Sequence, residues 1–175
     1  TFLGDHPANR IVSISTHGYS GYAISDSGYV YSFGSGLYGQ LGIGSNANSS
    51  SPVRVLKGLY AGTTYMGDNN SNRVIAVYAG PTNAFFLTEN NILFCVGANG
   101  GGGLGDGTTV NKTTPVRPLK GAYGGTTYLG DNAANPIVSM LTGSVVGAFS
   151  NINHAIAIAK DGFLYAFGNN SGGQL

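Results

Sequence analysis

The sequence predicts an all-β fold assembled from tandem copies of one small sheet, and three observations predict it. First, Tyr31–Gly42 (YSFGSGLYGQLG) returns as Phe94–Gly105 (FCVGANGGGGLG) and again as Tyr165–Leu175 (YAFGNNSGGQL), at intervals of 63 and 71 residues. Second, short runs rich in β-branched and aromatic residues alternate with turns bearing glycine, asparagine and aspartate, and no stretch keeps a helical period. Third, glycine numbers 30 in 175 residues while charged residues make up only 9%, which suits tightly bent, packed sheets better than a charged, disordered chain. Four short strands to a copy with glycine at the bends describe the blade of a β-propeller.

The copies divide the chain into 1–63, 64–126 and 127–175, the first opening mid-array and the last truncated. Thr1 begins TFLGDHPANRIVSI, which lines up with 64–77 and 127–140, so the chain reads as a window on a longer array. Each copy starts with a β-branched strand at Ile11–Ser15, Val74–Tyr78 or Ile137–Leu141. A second strand follows at Tyr22–Ser25, Ala84–Thr88 or Ala155–Ala159. The turns 26–28, 89–91 and 160–162 carry residues that tolerate positive φ. The third strand, Tyr29–Phe33, Ile92–Val96 or Phe163–Phe167, should alternate, with Val30 and Ser32 on one face and Tyr29, Tyr31 and Phe33 on the other.

Glycines then recur in register: Gly34, Gly97 and Gly168, followed by Gly39 and Gly42, Gly102 and Gly105, and Gly173. Polar loops at 45–51 and 108–114 lead to Pro52 and Pro115, expected at the entrance of a fourth strand, where a missing N–H is harmless. Between Met140 and His154 the third copy carries an eight-residue insertion, read as a longer surface loop. The segments 52–69 and 115–132 agree at 14 of 18 positions, which implies that each meets the same surroundings in a stack or ring of equivalent units.

With these motifs in view, the repeat resembles the regulator of chromosome condensation family, whose fold is a seven-bladed β-propeller. The resemblance rests on His154–Ile158, Asp161-Gly162, Leu164–Gly168 and Gly173–Leu175 in the third copy, and on Val30–Gly34 and Gly39–Gly42 in the first. It implies a structural, hydrogen-bonding role for His154. The tryptophan of the family's "WG" pair is replaced by Phe33, Val96 and Phe167, and the chain has no tryptophan, so the tryptophan-based light sensing of one branch is excluded.

No catalytic constellation emerges. His6, His17 and His154 fall at non-equivalent positions without partners at catalytic or metal-ligand spacing. Asp5, Asp68 and Asp131 recur, but each as a single carboxylate in a Gly-Asp turn, which reads as a turn cap rather than a calcium site. Gly100–Gly103 lacks the Lys-Ser/Thr of a phosphate loop. Cys95, the one cysteine, matches Ser32 and Ala166 and reads as a tightly packed position. The repeated basic pairs Arg54/Lys57 and Arg117/Lys120 read as a solvated sheet edge. A net charge of +1 offers no footprint for nucleic acid, and no apolar run is long enough to span a bilayer. Sequons at Asn48, Asn69, Asn111 and Asn169 are candidate glycosylation sites.

These features lead to a non-catalytic structural or binding array without cofactor or metal, its partners being neighbouring blades, copies of itself or another protein. An extracellular or surface assembly, ring or filament, is the first expectation. The alternative is a nuclear or cytoplasmic regulatory propeller of the nucleotide-exchange or chromatin-docking type.

Overall fold

The computed structural model describes residues 3–5, 7, 9–144, 153–173 and 175. Among these residues eleven strands form three antiparallel sheets in simple meander order. The first holds β1 (Ile11–His17), β2 (Ser20–Ser25), β3 (Val30–Gly34) and β4 (Ser49–Arg54). The second holds β5 (Val74–Ala79), β6 (Asn83–Thr88), β7 (Leu93–Gly97) and β8 (Lys112–Val116). The third holds β9 (Ile137–Ser144), β10 (Asn153–Ala159) and β11 (Leu164–Gly168). We call them blades 1, 2 and 3.

Each blade is a thin slab with two apolar faces, and the slabs stack. Blade 2 shows why strand alternation here does not separate core from solvent: Ala84, Phe86, Phe94 and Val96 join the core shared with blade 1, while Phe85, Leu87, Leu93 and Cys95 join the core shared with blade 3. Successive side chains point to opposite faces, as any strand demands, but both faces are dry. Every residue of β6 and β7 is therefore buried. The face alternation expected for Val30, Tyr31 and Ser32 holds in direction, yet all three are buried. Edge-to-face aromatic pairs cross the seams, Tyr60 with Phe94 at 5.6 Å and Tyr123 with Tyr165 at 5.2 Å, at equivalent positions of successive blades.

Several boundaries differ from expectation for identifiable reasons. Gly34, Gly97 and Gly168 end the third strands rather than following them, each pairing with the first part of the second strand at Ser20, Asn83 or His154. Their φ angles of 99°, 108° and 109° are nearly the same, and a Cβ on Gly97 would lie 2.4 Å from the Thr82 carbonyl oxygen. Pro52 and Pro115 lie inside β4 and β8 rather than at their entrances. Both strands are sheet edges, bonded on one side, so proline's missing N–H costs no needed ladder bond. The polar loops accordingly end at Ser49 and Lys112, where these strands start. In the third copy β9 runs on to Ser144, so the first part of the insertion lengthens a strand; the rest lies outside the described residues.

The first strands carry a feature absent from the sequence reading. Val12, Ile75 and Val138 are each skipped by the ladder, giving a bulge at the same place in all three blades. The bulge turns a β-branched side chain outward, and all three are exposed. β1 lies against β5, and β5 against β9, which places the first strands nearest the axis about which the blades turn.

Candidate functional site: the interblade wedges and the loop end

The repeated glycine motif is a wedge between blades. After Gly34 the chain turns at Gly36–Gly39 and Gly39–Gly42 and drops back beside its own sheet, where the Leu41 side chain is fully buried. Two side chains on the face toward blade 2 hold it: Ser32 Oγ donates to the Leu41 carbonyl (2.7 Å) and Tyr22 Oη to that of Gln40 (2.9 Å). The wedge reaches the next blade through the Gly44 amide, which donates to the Thr113 carbonyl at 2.8 Å. Blade 2 repeats the device with Leu104, whose carbonyl accepts from Cys95 Sγ at 3.2 Å. The position shared by Ser32 and Cys95 is thus a donor site as well as a small one. Here Asn99 braces the turn: its Oδ1 accepts from the Leu104 amide and its Nδ2 donates to Asp106, which pairs with Lys112 at 3.0 Å. Burial pushes the Cys95 thiol far above its ordinary range, with the nearby Asp106 carboxylate adding to it. Such a group is no nucleophile.

A second repeated device is a clasp in the segment joining the blades. Asp68 accepts the amides of Thr63, Thr64 and Tyr65 (2.9, 2.7 and 2.9 Å) and the Thr63 hydroxyl (2.7 Å). Asp131 does the same for Thr126, Thr127 and Tyr128. Desolvation raises the Asp68 carboxyl, but the amides and hydroxyl together outweigh it and bring its pKa down to about 2; Asp131 is depressed by the same donors. Gly62 and Gly125 are obligatory here, since a Cβ on either would fall 1.9 Å from the carboxylate. Tyr60 Oη donates to the Asn72 carbonyl at 2.7 Å, and Tyr123 Oη bonds the Asn135 carbonyl in the same way. Both aspartates are turn caps.

Of the repeated basic residues, Arg54, Lys57 and Lys120 are exposed, as a solvated edge requires, and Arg117 is half-buried. Arg54 stacks over Tyr29 at 4.2 Å and Arg117 over Tyr128 at 4.2 Å. Burial lowers the Arg117 guanidinium from its ordinary value, and its Nε and Nη2 have no hydrogen-bond partner. Lys57 and Lys120 tie down their own turns through the carbonyls of Gly62 and Gly125, at 3.1 Å each. Aromatic faces claim the arginines because their planar cations lose less on leaving water than a lysine ammonium.

His6 lies outside the described residues, and His17 and His154 belong to different blades. His154 is half-buried, and its Nδ1 has no hydrogen-bond partner. Ser20 and Asn83, its counterparts opposite the strand-ending glycines, share this property. Among the described residues no three His, Cys, Asp or Glu side chains come together as metal ligands. The sequon asparagines brace loops: Asn48 Oδ1 accepts from the Gly36 amide and Asn111 Oδ1 from that of Asn99, each at 2.9 Å, while Asn169 Oδ1 accepts from Ser171 (3.0 Å). Asn69 uses both amide atoms, toward Ala61 and Ser71.

The meander puts the β1–β2 and β3–β4 connections, and their counterparts, at one end of the stack and the hairpins and joining segments at the other. Of eight basic and seven acidic residues, only Asp106 and Lys112 belong to the first end, and they pair with each other. This loop end instead exposes Tyr19 (88%), Leu37 and Val110 among serine, threonine, asparagine and glycine. No sequence signal short of the strand order could have shown that the charges segregate.

The family model described as the regulator of chromosome condensation (RCC1) repeat matches residues 27–87. Probable E3 ubiquitin-protein ligase HERC4 of Homo sapiens is 26% identical over 166 residues, covering 95% of this chain and 13% of that protein. A bifunctional serine/threonine-protein kinase/NEDD4-like E3 ubiquitin-protein ligase of Dictyostelium discoideum is 26% identical over 94% of this chain and 8% of its own length. Among solved structures, human WBSCR16 superposes with a TM-score of 0.66 at 20% identity, over 93% of this chain and 35% of that one. Prp20p of Saccharomyces cerevisiae, studied for its binding to Gsp1p and histones, gives 0.63 at 18% over 93% and 33%. The chain therefore spans about a third of these structures and much less of the curated relatives. The segment that matches the repeat model runs from the β2–β3 hairpin of blade 1 into β6, and the meander sheets, the strand-ending glycines and the superposed structures together show that the three sheets have the fold of β-propeller blades.

Proposed function

We propose that the chain is the protein-binding part of a regulatory propeller, and that its loop end is the contact face. The reading is carried by the segregation of charge: one end holds a single, mutually paired ion pair and presents an exposed tyrosine and two exposed aliphatic side chains. An apolar patch rimmed by uncharged polar groups suits a protein surface, where aromatic anchors supply most of the binding energy. It does not suit DNA, whose phosphates call for clustered cations. The likeness to solved propellers supports the regulatory alternative over a secreted filament, since the yeast protein among them is described with Gsp1p, histones and Kap60. Of the two regulatory modes, nucleotide exchange on a small GTPase accords better with a charge-poor face than chromatin docking does.

A photo-crosslinking residue at Tyr19 in the full-length protein tests this. The expected result is a protein adduct of discrete mass, abolished by Leu37→Asp and unaffected by raising the salt concentration. The same crosslinker at Asn70, on the opposite end, should give none. Adducts at Asn70 alone, or with nucleic acid, would refute the assignment.

A further inference from the structure

Blade 2 carries a side chain that the next residue of its own chain can attack. Of the 17 asparagines, Asn99 alone is followed by glycine. In such a pair the glycine nitrogen can add to the side-chain carbonyl carbon, since no Cβ hinders it and the glycine backbone turns freely. The C–N bond to the side-chain nitrogen breaks, ammonia leaves with the proton of the glycine amide, and a five-membered imide forms. Water opens the imide to a carboxylate, on either the normal or the side-chain linkage. Nothing but water is consumed.

The fold does not impose glycine at this place. A Cβ on Gly100 would meet no atom within 4 Å, and blade 1 has Leu37 there. Gly102, two residues on, does need its freedom, with a φ of 74°. Blade 3 has Asn170 where blade 2 has Asn99, its Oδ1 accepting from the Leu175 amide at 3.0 Å, but serine follows it. Blade 1 has Gly36, whose Cβ would fall 2.0 Å from the Ala47 carbonyl oxygen.

The native packing keeps Asn99 from reacting. The residue is buried, and its Oδ1 accepts from the Leu104 amide at 2.9 Å. Oxygens of one exposed loop ring its Nδ2: Asp106 Oδ1 at 2.8 Å, the Thr108 carbonyl at 3.0 Å, Thr108 Oγ1 at 3.2 Å and the Val110 carbonyl at 3.3 Å. Asp106 also accepts from the Thr108 amide and hydroxyl and pairs with Lys112. Swinging the amide carbon onto the Gly100 nitrogen breaks these bonds together, so the 106–111 loop must first lift away.

We propose that Asn99 and Gly100 form a self-modification site gated by the 106–111 loop, each opening exposing the amide to attack and the resulting carboxylate preventing closure. A carboxylate in place of the amide sets an acceptor against acceptors, a second negative charge against Asp106 with only Lys112 at that end to offset it. Because the loop carries Val110, conversion alters the contact face proposed above; the site itself stands without that reading.

The test is peptide-resolved mass spectrometry of the full-length protein held at mildly alkaline pH, native and in urea, scoring the mass gain of an amide-to-acid exchange. Conversion at Asn99 should be at least about tenfold slower in the native protein than in urea, the ratio reporting the loop-opening equilibrium. Asp106→Ala should speed the native reaction and leave the urea rate unchanged; Thr108→Ala serves if that variant does not keep its circular-dichroism spectrum. Gly100→Ala, in open space, should keep the fold and slow conversion in both conditions. Asn99→Asp, which installs one product directly, should lower the melting temperature and open the 106–111 loop to protease. Equal rates in the native protein and in urea, no conversion in urea, or a native rate that neither loop variant raises would overturn the gated site. An Asn99→Asp protein as stable and as protease-resistant as the parent would overturn the block on closure.

Discussion

Leu41, Leu104 and Leu175 occupy one position of the repeat, and the chain supplies its own control for what that position does. Leu41 and Leu104 are completely buried between blades, whereas Leu175 is 47% exposed. Truncating a fully buried leucine to alanine removes its transfer free energy and leaves a cavity, at a cost of about 2–5 kcal/mol. The wedges are pinned by the hydrogen bonds of Ser32 and Cys95 to the leucine carbonyls, so neither wedge can collapse freely and the upper half of that range is expected. For a chain of this length about 4 kcal/mol lowers the melting temperature by roughly 8–16 °C. Leu175→Ala, at a half-exposed position, should stay within about 0.5 kcal/mol. Urea unfolding followed by tyrosine fluorescence, with the slope checked for constancy, measures all three. The reasoning fails if Leu104→Ala costs less than about 1 kcal/mol, or if Leu175→Ala costs as much as Leu104→Ala.

Two further outcomes follow from the repeated contacts. The depressed folded-state pKa of Asp68, about 2, and that of Asp131 below its ordinary value, mean that both carboxylates stabilise the fold above about pH 4 and lose that contribution as the pH falls through their folded values. The melting-temperature gap between the parent chain and Asp68→Asn should therefore be widest near neutrality and narrow toward pH 2, and a gap independent of pH would count against the cap. Cys95, fully buried with its thiol shifted upward, should react with a thiol reagent only as fast as blades 2 and 3 separate; labelling in the native state at the rate of a free thiol would contradict the packing of that seam.

Much of this molecule was legible before any coordinates. Spacing alone gave the three units, and the strand-ending glycines could be picked out because only a residue without a Cβ recurs where the backbone must turn left-handed against a neighbouring carbonyl. The single carboxylates of Asp68 and Asp131 read correctly as caps, since a lone acid beside threonines has amides to satisfy but no second carboxylate to share a cation. The Arg117 position did not read correctly as solvated: whether a cation is solvated or stacked depends on which ring the fold brings beneath it, and Tyr128 lies eleven residues from Arg117 in the chain. His154 was assigned a hydrogen bond that the described residues do not supply.

The sequence by itself determined the repeat, the number of strands in a blade and the places where glycine is required, because these are settled by local backbone sterics and by alternation along one strand. Only the tertiary structure decided that both faces of blade 2 are dry, that a bulge turns Val12, Ile75 and Val138 outward, and that nearly all the charge collects at one end of the stack. These depend on which sheet lies against which, and residues more than sixty positions apart must meet before they acquire any meaning.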